Sequence, residues 1–358
     1  MLEVKYLVSL TLFLLIFPKL KYLFKSKACL WDSKLLNWFQ TCSFGGVLDF
    51  ARFWNQYEVH GLEKVKNMNG NCLLVGYHSR CTLDLVYVLV SIQPAVIATH
   101  LMFKIPFMRW VLAQANILPS GTDEHAEMGF IKALCGKRPV LLLPGGVYEC
   151  LKPINEIGRI QWKELPGFAR IIHKEKELLG NRTKVFPFYT KNCEQSFYRN
   201  DFIYEGCGKW SCYMYDLFRK GHIWFMPIML TFMFISIGFK ILPRPVKLDT
   251  YIGDAVVLKE GESAEDFGLR VAEATQSLVD KVEALPQIET VYCKLRRSTD
   301  PADRVQLAIL SIQMVLVGIY TVIQNVFIFL GVILSIWAPV MVALYAIIYA
   351  APLRQSLS

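Results

Sequence analysis

A histidine and a carboxylate, His78 and Asp84, stand just after the apolar run Cys72 to Val75. That run, bounded by Gly70 and Gly76, reads as a short buried strand, and Leu85 to Ile92 beyond it reads as a helix. On one unbroken helix, residues six apart are rotated by roughly 120°. The pair can therefore meet only if His78 lies in the loop and Asp84 reaches back from the first helical turns. A carboxylate on one imidazole nitrogen fixes the tautomer and leaves the other nitrogen to take a hydroxyl proton, which makes a general base. A plainer reading has the histidine satisfied by a backbone carbonyl and the aspartate capping the helix. Cys81 offers a nucleophile in the same loop, but no thiol-protease signature surrounds it and G-x-S-x-G is absent.

A second short apolar strand, Pro139 to Leu143, runs into Pro144, Gly145, Gly146, Val147, Tyr148 and Glu149. In an open α/β sheet, loops at the carboxyl ends of the strands line one crevice. Two glycines there let backbone N–H groups approach a ligand closely. Glu149 reads either as a group that positions an acceptor hydroxyl or as a solvated turn residue.

The elements that must hold these groups alternate from about Ala51 to Gln287. Thr122 or Asp123 caps a helix with Met128, Ile131, Leu134 and Cys135 at helical spacing, closed by Gly136. Phe168, Ile171 and Ile172 begin a helix that Gly180 closes, and Lys184 to Phe188 returns as a strand. Leu248 to Gly253 is strand-like, and Ser263 with Asp266 resembles a capping box for a helix with Leu269, Ala272, Leu278 and Val282 on one face. Such alternation predicts an α/β fold with a largely parallel sheet flanked by helices.

His78 through Asp84, Pro144 to Glu149, the segment Gly167, Phe168, Ala169, Arg170, and the segment Val185 to Phe188 resemble the four ordered blocks of the glycerolipid (PlsC-like) acyltransferase superfamily. The likeness is closer to its diacylglycerol acyltransferase-like branch, which includes the transmembrane protein sixty-eight group. It extends to Phe103, Lys104, Ile105 and Pro106, and to Pro245 through Leu248 with Tyr251 through Asp254. It covers roughly residues 45 to 285. Most of the superfamily has four residues between histidine and aspartate; this chain has five, as the narrower branch does. Where relatives in that branch tend to carry arginine after Pro-Gly-Gly-Val, this chain has Tyr148, which weakens a phosphate clamp at this turn and favours a neutral glyceride acceptor.

The composition agrees with membrane contact: 54% hydrophobic and only 19% charged residues in 358, with a net charge of +9 that suits anionic headgroups or nucleotide phosphates. No nucleic-acid motif accompanies the charge. Ten cysteines without metal-ligand spacing read as reduced thiols, and no metal is expected. Residues 6 to 18 are uncharged, short for a span of ~20 residues, and read as a short or tilted anchor. Lys19, Lys21, Lys25 and Lys27 after it place the downstream chain in the cytosol. Ile223 to Phe239 is uncharged with Pro227 inside, and reads as a re-entrant or in-plane pair dipping into the leaflet, or as a buried core helix. Val305 to Leu353 carries no charge between Arg304 and Arg354 and suits two membrane passes. The expected organisation is an anchor over 1–27, an acyltransferase domain over 28–300 with a membrane-dipping insertion at 222–242, and a transmembrane hairpin over 301–358.

The resemblance implies transfer of an acyl group from acyl-CoA, a co-substrate rather than a cofactor, to a glycerolipid hydroxyl at the endoplasmic reticulum membrane. His78 would take the hydroxyl proton and Asp84 would stabilise the imidazolium, while Pro144, Gly145, Gly146 and Glu149 would meet the acceptor. Lys104, Arg109, Lys137 and Arg138 are candidates for the coenzyme A phosphates, and Arg170 for a carboxylate in the fold or for substrate. The alternatives are a lysophospholipid acyltransferase, a transacylase, or a catalytically silent membrane scaffold; no oligomeric state is implied.

Overall fold

The computed structural model describes residues 51–315 apart from 53, 67, 69, 70, 80–82, 104–111, 113–116, 122, 163–166, 181, 182, 197–200, 220–243, 310, 313 and 314. The expected anchor at 1–27, the insertion at 222–242, the C-terminal hairpin beyond 315, Lys104, Arg109 and Cys81 lie outside the described residues. Among those that are described, no helix is long and apolar enough to cross a membrane.

The strands are β1 (Glu58–His60), β2 (Cys72–Gly76), β3 (Ala95–Thr99), β4 (Ile117–Ser120), β5 (Val140–Leu142), β6 (Lys184–Lys191), β7 (Asp249–Ile252) and β8 (Val256–Val257). The α-helices are α1 (Glu63–Lys66), α2 (Leu83–Ile92), α3 (His100–Phe103), α4 (Glu124–Leu134), α5 (Gly146–Cys150), α6 (Gly167–Leu179), α7 (Asp201–Arg219), α8 (Ala264–Glu283) and α9 (Val291–Arg297). The sheet runs β1-β7-β6-β2-β5-β3-β4, with β8 also on β6. Its body, from β6 through β4, is parallel, and β7 and β8 run antiparallel to β6.

Every residue of β2 is buried, because helices cover both faces of the sheet. Leu73 and Val75 enter one core with Phe130 and Ile131 of α4, Phe168 of α6 and Val271 of α8. Cys72 and Leu74 enter the other, with Val65 of α1 and Val88 of α2. A strand buried on two faces has no polar side to display, which is why its sequence is an unbroken apolar run. Each large side chain so placed contributes about 1.5–3 kcal/mol.

The expected helix signals are present. The Asp123 side chain accepts from the Ala126 amide at 2.9 Å and caps α4, and Ser263 accepts from the Asp266 amide at 3.0 Å and caps α8. The expected face of α8 needs correction: of its four residues only Val282 is buried, and Ala272 and Leu278 are half-buried. Its buried stripe is Phe267, Val271, Thr275, Val279 and Val282, whereas Leu269 is 62% exposed. Two positions from Phe267 and Val271 is about 200° around the helix, so Leu269 points away from the sheet.

Pro187 sits inside a central strand, where a missing N–H ordinarily costs a ladder bond. Here β6 pairs with β8 through Lys184 and Val185 and with β7 only from Phe188 onward. Pro187 falls in the gap, and its carbonyl accepts from the Gly253 amide at 2.7 Å.

Candidate active site

Beyond Gly76 the chain leaves β2 through buried Tyr77 to His78, which is partly exposed. Extending the register of β2 and β5, in which Val75 faces Leu142, sets His78 level with Gly145. The Nδ1 of His78 lies 3.0 Å from the Ser79 carbonyl oxygen. A carbonyl only accepts, so Nδ1 holds the proton and Nε2 keeps its lone pair.

Asp84 does stand in the first turn of α2, as expected, but it does not take the imidazole nitrogen. Its Oδ1 accepts from the Leu85 amide at 2.7 Å, and the Ser79 hydroxyl bonds to the carboxylate. The carbonyl one residue along from His78 already fills the position at Nδ1, so no direct hydrogen bond joins the two side chains. Their charges nonetheless interact. Burial pushes the Asp84 carboxyl up to about 6, opposed by Ser79, by the Leu85 amide and by the charge on His78.

Glu149 departs furthest from expectation. It is fully buried rather than solvated, and its two oxygens accept from the backbone amides of His78 at 2.8 Å and Gln161 at 3.2 Å. Burial raises its pKa, against the pull of those amides and of Lys152. The carboxylate lies so close to Gly145 that a Cβ there would sit 2.3 Å from Oε2. The Gly-rich turn is thus needed first to seat Glu149. Gly146 comes next at φ +50°, in the left-handed region that a glycine enters without strain. Pro144 leads the turn, and the Gly145 amide has no protein partner among the described residues.

Around this centre the polar groups interlock. The Lys152 ammonium lies 4.5 Å from the centre of the Tyr77 ring, and the Tyr77 hydroxyl reaches Glu194 at 3.4 Å. Cys193, just after β6, lies 3.4 Å from the Ser79 hydroxyl. The Tyr148 hydroxyl donates to Asp216, and its ring meets Tyr215 edge-on, which holds α7 beside α5. Asn55 accepts from the Tyr87 hydroxyl on α2 at 2.8 Å and donates to the carbonyl oxygens of Arg244 and Val246.

Lys137 and Arg138 are not near this centre. They precede β5, whereas Gly145 lies beyond it, and the β2 register sets Arg138 level with Asn71. At the usual rise per strand residue, seven positions put about 20 Å between that level and His78. Arg170 is exposed on α6 with no ion pair among the described residues. A potential cation site is formed by Glu58, His60 and Asp249, whose ligand atoms lie within 4.8 Å of one another. The Lys247 ammonium, 3.4 Å from both carboxylates, already supplies positive charge there.

Sequence order alone would have separated Lys137 and Arg138 from the reacting end, because residues before a parallel strand lie at its amino end. The Glu149 contacts had no such signal, since their partners are backbone amides.

No protein-family model matches the chain. It is 27% identical over 242 residues to the "DGAT1/2-independent enzyme synthesizing storage lipids" of Bos taurus and to that of Homo sapiens. The matches cover 66% of this chain and 63% and 64% of those relatives, so the chain spans less than two thirds of their length. The Gallus gallus protein of the same name is 23% identical over 246 residues, covering 66% of this chain and 63% of that protein. Among solved structures, the 1-acyl-sn-glycerophosphate acyltransferase PlsC from Thermotoga maritima aligns with a TM-score of 0.46 and 16% identity, over 80% of this chain and 100% of that one. The sequence comparisons support the resemblance carried by the four ordered blocks, to the PlsC-like superfamily and its diacylglycerol acyltransferase-like branch.

Proposed function

We propose that this chain is a membrane-bound glycerolipid O-acyltransferase, moving a fatty acyl group from acyl-CoA to mono- or diacylglycerol. The observation that carries this reading is His78, whose Nδ1–H is fixed on a carbonyl so that Nε2 is free, level with a turn whose Gly145 amide has no protein partner among the described residues. The relatives' name, which speaks of synthesizing storage lipids, supports the same class of chemistry. Tyr148 is engaged with Asp216 in place of a guanidinium, which favours a neutral acceptor over a phosphorylated one.

In this mechanism Nε2 of His78 takes the proton of the glyceride hydroxyl as its oxygen attacks the thioester carbonyl carbon. The imidazolium is stabilised by its Nδ1–H bond to Ser79 and, through space, by ionised Asp84. When the tetrahedral intermediate collapses, the C–S bond breaks and the proton passes from Nε2 to the departing thiolate. Glu149 acts by fixing the His78 main chain, and the Gly145 amide faces the acceptor or the developing oxyanion.

Bilayer contact is part of the proposal. The uncharged stretch 223–239 comes after α7, which Tyr148 holds beside α5, and the chain is fixed again where the Arg244 amide donates to Ser196 at 2.7 Å. The helix that begins at 301 exposes Val305, Ile309, Ile312 and Val315 and leads into the uncharged C-terminal stretch. The lysines after residue 18 favour a domain facing the cytosol from the endoplasmic reticulum membrane. A second reading, a membrane scaffold without transfer activity, is favoured by the missing bond between His78 and Asp84.

Labelled acyl-CoA offered to the purified protein with monoacylglycerol, diacylglycerol and lysophospholipids tests both. Transfer to neutral glycerides that drops about 10²–10⁴-fold in His78→Ala, with the melting temperature retained, supports the enzyme. Undiminished transfer in the variant removes the histidine mechanism, and absence of transfer in the native protein supports the scaffold. Activity without acyl-CoA would mark a transacylase.

A further inference from the structure

At the amino-terminal end of β2 and β5, the end opposite His78, the residues around α1, the end of α2 and the residues just before β5 line a hollow of about 310 Å³. Lys66 at the end of α1, and Lys137 and Arg138 before β5, stand at its mouth with Gln93, over an apolar floor that includes Val65 and Met68. Among the described residues, no carboxylate lines the cavity. None of the three cations has an ion pair among those residues either. The neighbouring Lys64 differs: it pairs with Asp254 at 2.8 Å.

Three like charges gathered at one mouth repel one another, and an opposite charge in the hollow relieves all three at once. The end of α2 opposes this, because its last carbonyls carry about half a negative charge. One of these, on Leu89, is already taken by the Gln93 amide at 2.9 Å. The remaining imbalance, roughly three positive charges against half a negative one, decides the sign. The volume lies at the small end of the about 300–1,000 Å³ typical of ligand pockets, enough for a phosphate and a short apolar neighbour.

We infer that this cavity is a second binding site, for a phosphate group carried on an amphiphile, separate from the reacting centre. The whole length of β2, Cys72–Gly76, lies between the two, and the phosphate group proposed here has no part in the transfer at His78. The phosphate comes either from a soluble nucleotide thioester or from the headgroup of an anionic lipid; the recognition chemistry is the same. The site stands whether or not His78 carries out transfer.

Equilibrium dialysis of labelled pyrophosphate against the full chain in nanodiscs of neutral phosphatidylcholine tests it. Saturable binding is expected, weakened at least about 10-fold by the double change Lys137→Glu and Arg138→Glu, and by a smaller factor in Lys66→Ala. Lys281→Glu, an exposed change on α8, should leave binding within about 2-fold. Nanodiscs that also contain phosphatidic acid separate the sources: pyrophosphate binding lost there means a lipid headgroup fills the site, and binding retained means a soluble phosphate does. The same measurements in His78→Ala protein should be unaltered, so failure of the acyl-transfer reading leaves this one intact. No saturable binding in neutral nanodiscs, or equal affinity in native and charge-reversed protein of matching melting temperature, overturns it.

Discussion

The two ends of the same pair of strands use charge in opposite ways. At the carboxyl ends of β2 and β5, Asp84 and Glu149 are buried and both accept from backbone amides, so their charges are spent on holding loops in place. At the amino ends, Lys66, Lys137 and Arg138 are exposed and unpaired among the described residues. A buried carboxylate with two amide donors cannot be removed without stranding those donors. A solvated lysine on a loop is exchanged for water at little cost. The first end therefore cannot lose its acceptor at Glu149 without cost, whereas the second is thermodynamically permissive and open to whatever binds it.

The largest expected effect is at Glu149. Glu149→Leu leaves the His78 and Gln161 amides without an acceptor and should cost about 2–5 kcal/mol, read as a lower melting temperature together with lost transfer. Glu149→Gln, which still presents one acceptor, should fall between. A Leu variant as stable as the native protein would erase the contrast between the two ends.

Next comes Asp84, with a sign that depends on pH. Its native value of about 6 exceeds the ordinary 3.8, so the folded state holds this proton more tightly than the unfolded chain does. The stability this confers is complete below about pH 4 and is lost as pH rises through 6. Asp84→Asn should accordingly be more stable than the native protein at pH 8, by up to about 3 kcal/mol, and the gap should close toward pH 4. Transfer should fall in the same variant. Melting curves at several pH values measure the first, and the acyl-transfer assay the second. A gap that is flat with pH would mean that Asp84 carries no ionisation cost.

The smallest effect belongs to the amino end. Lys66→Ala should change stability by less than about 0.5 kcal/mol. A larger loss in thermal melting would show that this end is braced as well.

What could be read in the sequence was what leaves a local imprint. Cys72 to Val75 and Lys184 to Phe188 are apolar because both faces of their strands are covered, and Asp123 and Ser263 cap helices through amides three residues on. The placement of His78 in the loop and Asp84 on the helix was legible for the same reason. Contacts made across the chain left no such imprint. The Glu149 amide partner at His78 is 71 residues away, and any residue but proline supplies a main-chain N–H. On α8, hydrophobicity alone groups Leu269 with Val282, whereas the spacing of Phe267 and Val271 turns a different side toward the sheet. At His78 and Asp84 the structure takes the plainer of the two readings, a histidine on a backbone carbonyl and an aspartate bonded at the start of the helix, because spacing alone does not show which acceptor lies at Nδ1.

Between Asp216, which accepts from Tyr148, and Arg244, whose amide donates to Ser196, the chain is fastened at both points to parts of the fold that adjoin the reacting loops. Strand pairing resumes only at Asp249. Both fastenings are made by residues that flank that length, so the reacting loops are braced from either side of it. A substitution at either fastening therefore acts on those loops first and on the strands only through them.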